Sequence, residues 1–166
     1  MSKLITSLEI ERKWRLPKLP PEIEHSDYKK IPCVKLVQGY LVIEKGVELR
    51  LRREGSKYFA TRKRGNGVVR EEKQVPINES AFTLLTAGFT EGQLVQKWRF
   101  YYQLNGFMLE FDLFEGHLQG LVTLEVEFKS VEEASTFSLP VWIIGAVEVT
   151  GDSKYANKNL ALHGLP

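Results

Sequence analysis

Glu9, Glu11 and Lys13 alternate with Leu8, Ile10, Arg12 and Trp14 in the run LEIERKW. Successive side chains of a β-strand point to opposite faces, so these three charges share one face. Further charges recur at spacing two: Arg50 and Arg52 in ELRLRRE, Lys97 and Arg99 in QKWRF, Glu110 and Asp112 in LEFDLF, Glu125 and Glu127 in TLEVEF. The candidate cations are Lys13, Arg50, Arg52, Lys63, Arg70, Lys97 and Arg99. Arginine forks match phosphate oxygens, and lysine adds a point charge. The candidate acids are Glu9, Glu11, Glu48, Glu72, Glu110, Asp112, Glu125 and Glu127. Carboxylates without a Cys or His cluster suit hard divalent cations such as Mg²⁺ or Mn²⁺. Mg²⁺ commonly takes a few carboxylates plus substrate phosphates, so a cation clamp beside an acid cluster reads as a triphosphate–metal site.

These side chains need strands to carry them. Period-two patterning and turn residues predict strands over Thr6–Arg15, Val34–Ile43, Val47–Glu54, Tyr58–Arg64, Val68–Ile77, Val95–Leu104, Phe107–Phe114 and Leu121–Lys129. Gly55-Ser56 and Asn105-Gly106 predict tight hairpin turns, and Gly65-Asn66-Gly67 another turn. A short helix is expected after Pro20-Pro21. Asn78 caps a second that closes at Gly88, and Ser130 caps a third from Val131. Val147–Thr150 leads into Gly151, and Asp152 is expected to cap a final helix running to about Leu162.

About eight antiparallel strands with few helices favour a barrel or closed sandwich. Between the paired charges lie Ile10, Leu49, Leu51, Trp98, Phe100, Leu109, Phe111, Leu113, Leu124, Val126 and Phe128. Those residues need cover, so helices and loops are expected outside, with the charges facing the lumen. Such a barrel inverts the usual small one, whose interior is apolar.

The totals set bounds. A chain of 166 residues suffices for one domain with a real core, spanning 1–166. The formal net charge of +2 carries no nucleic-acid footprint, so no specific nucleic-acid partner is expected. A single cysteine, Cys33, excludes an internal disulfide and fits a reducing cytoplasm; it reads as a small buried apolar residue. No segment has a signal-peptide core or bilayer-spanning length, so a soluble, cytoplasmic protein is expected.

With these residues in order, the chain resembles the CYTH superfamily, the triphosphate tunnel metalloenzymes. The E-x-E-x-K hallmark is Glu9, Glu11 and Lys13. It is followed by R-x-R (Arg50, Arg52), T-x-K (Thr61, Lys63), R-x-E (Arg70, Glu72) and K-x-R (Lys97, Arg99). The acidic strands and the segment EVTGD (Glu148 to Asp152), then Lys154 and Tyr155, complete the series from residue 8 to about 160. The resemblance implies an eight-stranded antiparallel β-barrel tunnel, mainly β with a few short outer helices, that binds triphosphate with Mg²⁺ or Mn²⁺. Family members hydrolyse inorganic, thiamine or RNA 5′-triphosphate, or cyclise ATP; compact members opening with EIERK most often act on inorganic triphosphate. The chain departs from the family at Gln74, where a second acid is usual, and at Arg62, where an apolar residue is usual.

On this resemblance Lys13, Arg50, Arg52, Lys63, Arg70, Lys97 and Arg99 hold the phosphate chain, with Lys154 at one tunnel mouth. Glu9, Glu11, Asp112, Glu125 and Glu127 hold one or two metal ions. Lys97, Arg52 and Glu127 carry most of the catalysis. The expected activity is hydrolysis of inorganic triphosphate to pyrophosphate and phosphate, by a monomer or homodimer. The rivals are another triphosphate-processing activity on the same scaffold, including a class IV-type adenylyl cyclase, and a polyphosphate-binding module without turnover. Blander roles are expected elsewhere: Glu48 as a mouth ion-pair partner, His25, His117 and His163 at the surface, and Trp14, Trp98 and Trp142 in outer packing.

Overall fold

The computed structural model describes residues 10–24, 31–44, 46–64 and 71–166. Glu9, Arg70 and His25, the turn at Gly65–Gly67, and the expected strand portions before Ile10 and before Glu71 lie outside the described residues.

Among the described residues nine strands form one antiparallel sheet. They are β1 (Ile10–Leu16), β2 (Cys33–Glu44), β3 (Val47–Glu54), β4 (Lys57–Arg64), β5 (Glu71–Ile77), β6 (Val95–Leu104), β7 (Phe107–Phe114), β8 (Val122–Phe128) and β9 (Val147–Glu148). The α-helices among the described residues are α1 (Pro21–Glu24), α2 (Glu79–Thr86), α3 (Val131–Thr136) and α4 (Asn157–His163). The strand order is β5-β4-β3-β2-β6-β7-β8-β1-β9.

The hairpins follow the turn chemistry. Asn105 (φ 49°) and Gly106 (φ 87°) both occupy the left-handed region that a two-residue turn between β6 and β7 requires. The caps follow the helix signals: Asn78 accepts from the Ala81 amide at 2.8 Å, and Ser130 from that of Glu133 at 3.2 Å. The end of the chain differs from expectation. Asp152 accepts from the Lys154 amide at 3.0 Å and caps only the short 3-10 turn Ser153–Tyr155; α4 then starts afresh after Ala156.

The expected closure of an eight-stranded barrel is not confirmed. Among the described residues the ladder is open, with β5 and β9 as its edges. The cause lies beside β1. The two residues of β9 pair only with Trp14 and Arg15. From there Val149 donates its amide to the Lys13 carbonyl at 2.8 Å, and the Lys13 amide donates to the Thr150 hydroxyl at 3.0 Å. The chain then turns away into α4, so residues of the 153–158 segment, rather than another strand, line this side of the sheet's charged face.

The apolar layer lies on the other face, as the alternation demands. Leu51, Leu109, Phe111, Leu124 and Val126 have no solvent exposure. Leu109, Phe111, Leu124 and Val126 join Leu19, Ile23, Ile31, Ala134 and Ile143 in the main core, with Phe137, Leu139 and Trp142 packed against it. Loops, α1 and α3 thus cover the outside of the sheet. Trp14 packs on Phe137, and Trp142 on Tyr102 and Phe111. Cys33 is half-buried against this layer rather than inside it. A second, smaller core seats α4, with Leu160 and Ala161 against Val95, Phe114, Leu118 and Leu121.

Candidate functional site: a charged trough on the concave face

The inward face of the sheet lines a cavity of about 570 Å³. β1 contributes Glu11 and Lys13, β3 contributes Glu48, Arg50 and Arg52, and β4 contributes Lys63. Lys97 and Arg99 come from β6, and Glu125 and Glu127 from β8. Alternation places them there: every one sits at spacing two from another on its strand, except Lys63, whose neighbour at that spacing is the buried Thr61. Cations outnumber carboxylates on this lining seven to five, so the trough favours an anionic guest.

The seventh cation is Lys158 of α4, which sequence reasoning missed. It bonds Glu48, the mouth ion pair expected of that residue. Lys154, expected at the mouth, is exposed and lines a separate small pocket with His163. The 3-10 turn shifts the helical phase, so the lysine four residues later faces the trough. Gln38 and Tyr40 also line it, and their spacing on β2 was the available signal.

The walls differ in how their charges are met. On the β6–β7–β8 wall the cations are neutralised by protein. Lys97 is 1% exposed and donates to Asp112 Oδ2 at 2.5 Å. Arg99 donates through Nε to Asp112 Oδ1 and through Nη2 to Asp112 Oδ2, both at 2.7 Å. It also reaches Glu125 at 2.6 Å, and Glu110. Glu125 receives Lys13 as well, at 2.6 Å. Burial drives the Lys97 ammonium below its usual pKa, against the pull of Asp112. Burial opposes the charge on Arg99, but Asp112 and the two glutamates hold it well above its ordinary value. Glu125 is pushed up by burial and pulled further down by Lys97, Lys13 and Arg99, ending far below the usual carboxylate range. Glu110 is raised, burial outweighing Arg99.

The β3–β4 wall is less satisfied. Arg50 approaches Glu72 only at 4.0 Å, while Lys63 takes Glu72 at 2.9 Å. Arg52 meets Glu54 at 3.3 Å. The Nε atoms of Arg50 and Arg52 are buried without a hydrogen-bond partner among the described residues. Unsatisfied buried donors are costly, and a bound oxyanion would satisfy them. Burial, then Arg50, lowers the Arg52 pKa, which a guest anion would reverse. Tyr40, pushed up to about 12 chiefly by burial, stays a neutral phenol and accepts from Gln38 Nε2 at 3.1 Å. Gln74, where the family usually has an acid, accepts from the Thr61 hydroxyl at 3.0 Å. Arg62 is exposed on the outer face.

The expected metal ligands divide. Glu11 and Glu127 line the trough and sit directly opposite each other on the β1–β8 ladder. Facing carboxylates repel, and a divalent cation would relieve that. Two carboxylates plus phosphate oxygens make a set that suits Mg²⁺ or Mn²⁺. Asp112, by contrast, has no exposure, and Glu125 is tied to Lys13 and Arg99. Among the described residues no three His, Cys, Asp or Glu side chains form a preassembled metal cage, so substrate oxygens or residues outside the described set would have to complete one.

No family model matches the chain. It is 40% identical over 156 residues to an inorganic triphosphatase of Nitrosomonas europaea, covering 93% of this chain and 97% of that one. An inorganic triphosphatase of Acetivibrio thermocellus is 33% identical over 124 residues, covering 74% and 77%. The crystal structure of an inorganic triphosphatase superposes with a TM-score of 0.72 at 36% identity, covering 99% of this chain and 100% of that chain. The chain belongs to the inorganic triphosphatase family, within the CYTH superfamily whose motifs its strands carry.

Proposed function

We propose that the protein hydrolyses inorganic triphosphate to pyrophosphate and phosphate, with a divalent metal ion, in the charged trough. The observation that carries this reading is the opposition of two walls: Arg50 and Arg52 with unsatisfied Nε donors on one, Glu11 facing Glu127 on the other. The phosphate chain lies between them.

Arg50, Arg52 and Lys63 bind its oxygens from the β3–β4 side, and Lys13, Lys97 and Arg99 from the β1 and β6 side, with Lys158 at the α4 end. Arg70 belongs to the same clamp by its motif. Glu11 and Glu127, with Glu9 by its motif, would hold Mg²⁺ or Mn²⁺, which when bound neutralises phosphate charge and activates the attacking water. Phosphoryl transfer is loose in character, so positioning and charge neutralisation carry most of the catalysis. Lys97 and Arg52 meet the charge that develops on the phosphoryl oxygens, and Glu127 orients the water side of the site. No covalent intermediate is needed, and Cys33 is not among the residues that line the trough. The curled sheet works as a tunnel around the bound chain, roofed on the β1 side by the 153–158 segment. The setting is cytoplasmic, and the acting unit is a monomer or homodimer.

Phosphate release from inorganic triphosphate, ATP and thiamine triphosphate, with Mg²⁺, Mn²⁺ or chelator, tests the proposal. Rapid chelator-sensitive release from inorganic triphosphate supports it. Cyclic AMP with pyrophosphate from ATP, or saturable binding without product, overturns it.

A further inference from the structure

Asp112 is the only fully unexposed carboxylate among the described residues, and both its oxygens are already used. Oδ1 accepts from Arg99 Nε at 2.7 Å. Oδ2 accepts from Arg99 Nη2 at 2.7 Å and from Lys97 Nζ at 2.5 Å. Arg99 stands opposite Asp112 in the β6–β7 register, which gives the guanidinium its two-pronged grip. Asp112 is absent from the lining of the trough, whereas Lys97 and Arg99 belong to it. Turning to a metal would strip a buried lysine and a buried arginine of their counter-charge, a severe desolvation cost.

We propose that Asp112 is a positioning residue. Lying beneath the trough floor, it locks the Lys97 ammonium and the Arg99 guanidinium in the orientation that receives the phosphate chain, and it ligates no metal. Arg99, gripped also by Glu110 and Glu125, passes the same order on to Glu125 and so to Lys13. The acidic β7 strand therefore serves the anion clamp, and the metal belongs to the Glu11–Glu127 side. This inference rests on the metal-dependent reading above.

The test is a double-mutant cycle with Asp112→Asn and Lys97→Met, alongside Glu127→Gln as the metal-ligand control. Asp112→Asn should lower kcat at least ~10²-fold and leave the half-saturating Mg²⁺ concentration unchanged, while Glu127→Gln raises that concentration. In the Lys97→Met background, Asp112→Asn should cost at least ~10-fold less than in the wild type, the signature of residues acting through one another. A raised Mg²⁺ requirement in Asp112→Asn, full activity in that variant, or additive losses in the cycle would each overturn the proposal. If Asp112→Asn fails to fold, wild-type protein carrying ¹³C-carboxyl aspartate and glutamate is titrated with Mn²⁺. The Asp112 signal outlasting that of Glu127 upholds the inference, and their loss together contradicts it. If the wild type binds triphosphate without hydrolysing it, the proposed function fails, and the same cycle read by calorimetric affinity still decides the role of Asp112.

Discussion

Glu11 and Glu127 are direct cross-strand partners, β1 against β8, with both carboxylates on the concave face. Two like charges in that relation destabilise a sheet unless a cation joins them. In the same two strands Lys13 faces Glu125 and pairs with it at 2.6 Å. The rung next to the Lys13–Glu125 ion pair thus brings two carboxylates to the trough.

Removing one carboxylate of the Glu11–Glu127 rung should weaken metal binding and spare the fold. Glu127→Gln and Glu11→Gln are expected to raise the Mg²⁺ or Mn²⁺ concentration for half-maximal activity at least ~10-fold, by analogy with losing a group that supports a metal ion. Both variants should remain folded without metal. A metal titration overlaid on a thermal melt checks both; an unshifted titration would exclude these acids as ligands.

Arg50 and Arg52 have buried Nε donors that lack a partner among the described residues. Arg52→Ala and Arg50→Ala should each lower kcat/KM at least ~10²-fold, as when one preorganised donor is lost. Stability should fall little, because an unsatisfied buried Nε donor leaves with each side chain. Steady-state kinetics with urea unfolding separates the effects. Near-normal turnover in both variants would contradict the clamp.

The pairing of Arg12 with Glu148 gives the acid side of the stability profile a definite shape. Arg12 donates to both Glu148 oxygens at 2.8 Å and to the carbonyls of Ala134 and Phe137, so it ties β9 and α3 to β1. Its hydrogen bonds pull the Glu148 carboxyl down to about 2 from 4.5. A folded-state value below the unfolded one means stability that is complete above pH 4.5 and lost as the pH falls toward 2. Glu148→Gln should therefore be less stable than the wild type at pH 7, with the gap closing between about pH 4.5 and 2. Urea midpoints across that range measure it; a gap independent of pH would refute the linkage.

Much of this was legible in the sequence, because a period of two assigns a face without knowledge of the fold. The trough lining from Glu11 to Glu127, the outer aromatic layer, the outward Arg62 and the Asn105-Gly106 turn all follow from alternation and turn chemistry. Alternation does not give depth. Asp112 has the right parity for the inner face, yet the longer side chains of Lys97 and Arg99 cover it. Nor does it give phase across a 3-10 turn, which is why Lys158 rather than Lys154 faces the trough. The pairing of β2 with β6 joins strands about sixty residues apart and leaves no short-range mark. Alternation does not report closure either: among the described residues the ladder ends at β5 and β9, and the two-residue β9 pairs only with Trp14 and Arg15.

The seat of α4 should couple stability to activity. Leu160 has no exposure and anchors the helix that carries Lys158. Leu160→Ala is expected to cost about 2–5 kcal/mol and to raise KM for triphosphate, while Lys158→Ala raises KM with little loss of stability. Denaturant unfolding beside substrate titration distinguishes the pair. An unchanged KM in both would remove α4 from the site.

The most direct measurement of the central claim is release of phosphate from inorganic triphosphate by the purified protein, with Mg²⁺ or Mn²⁺ and then with excess chelator. Turnover that depends on the metal, stops on chelation and returns when metal is restored is the predicted result. No release from inorganic triphosphate under any metal condition, by protein that is folded, would contradict the account.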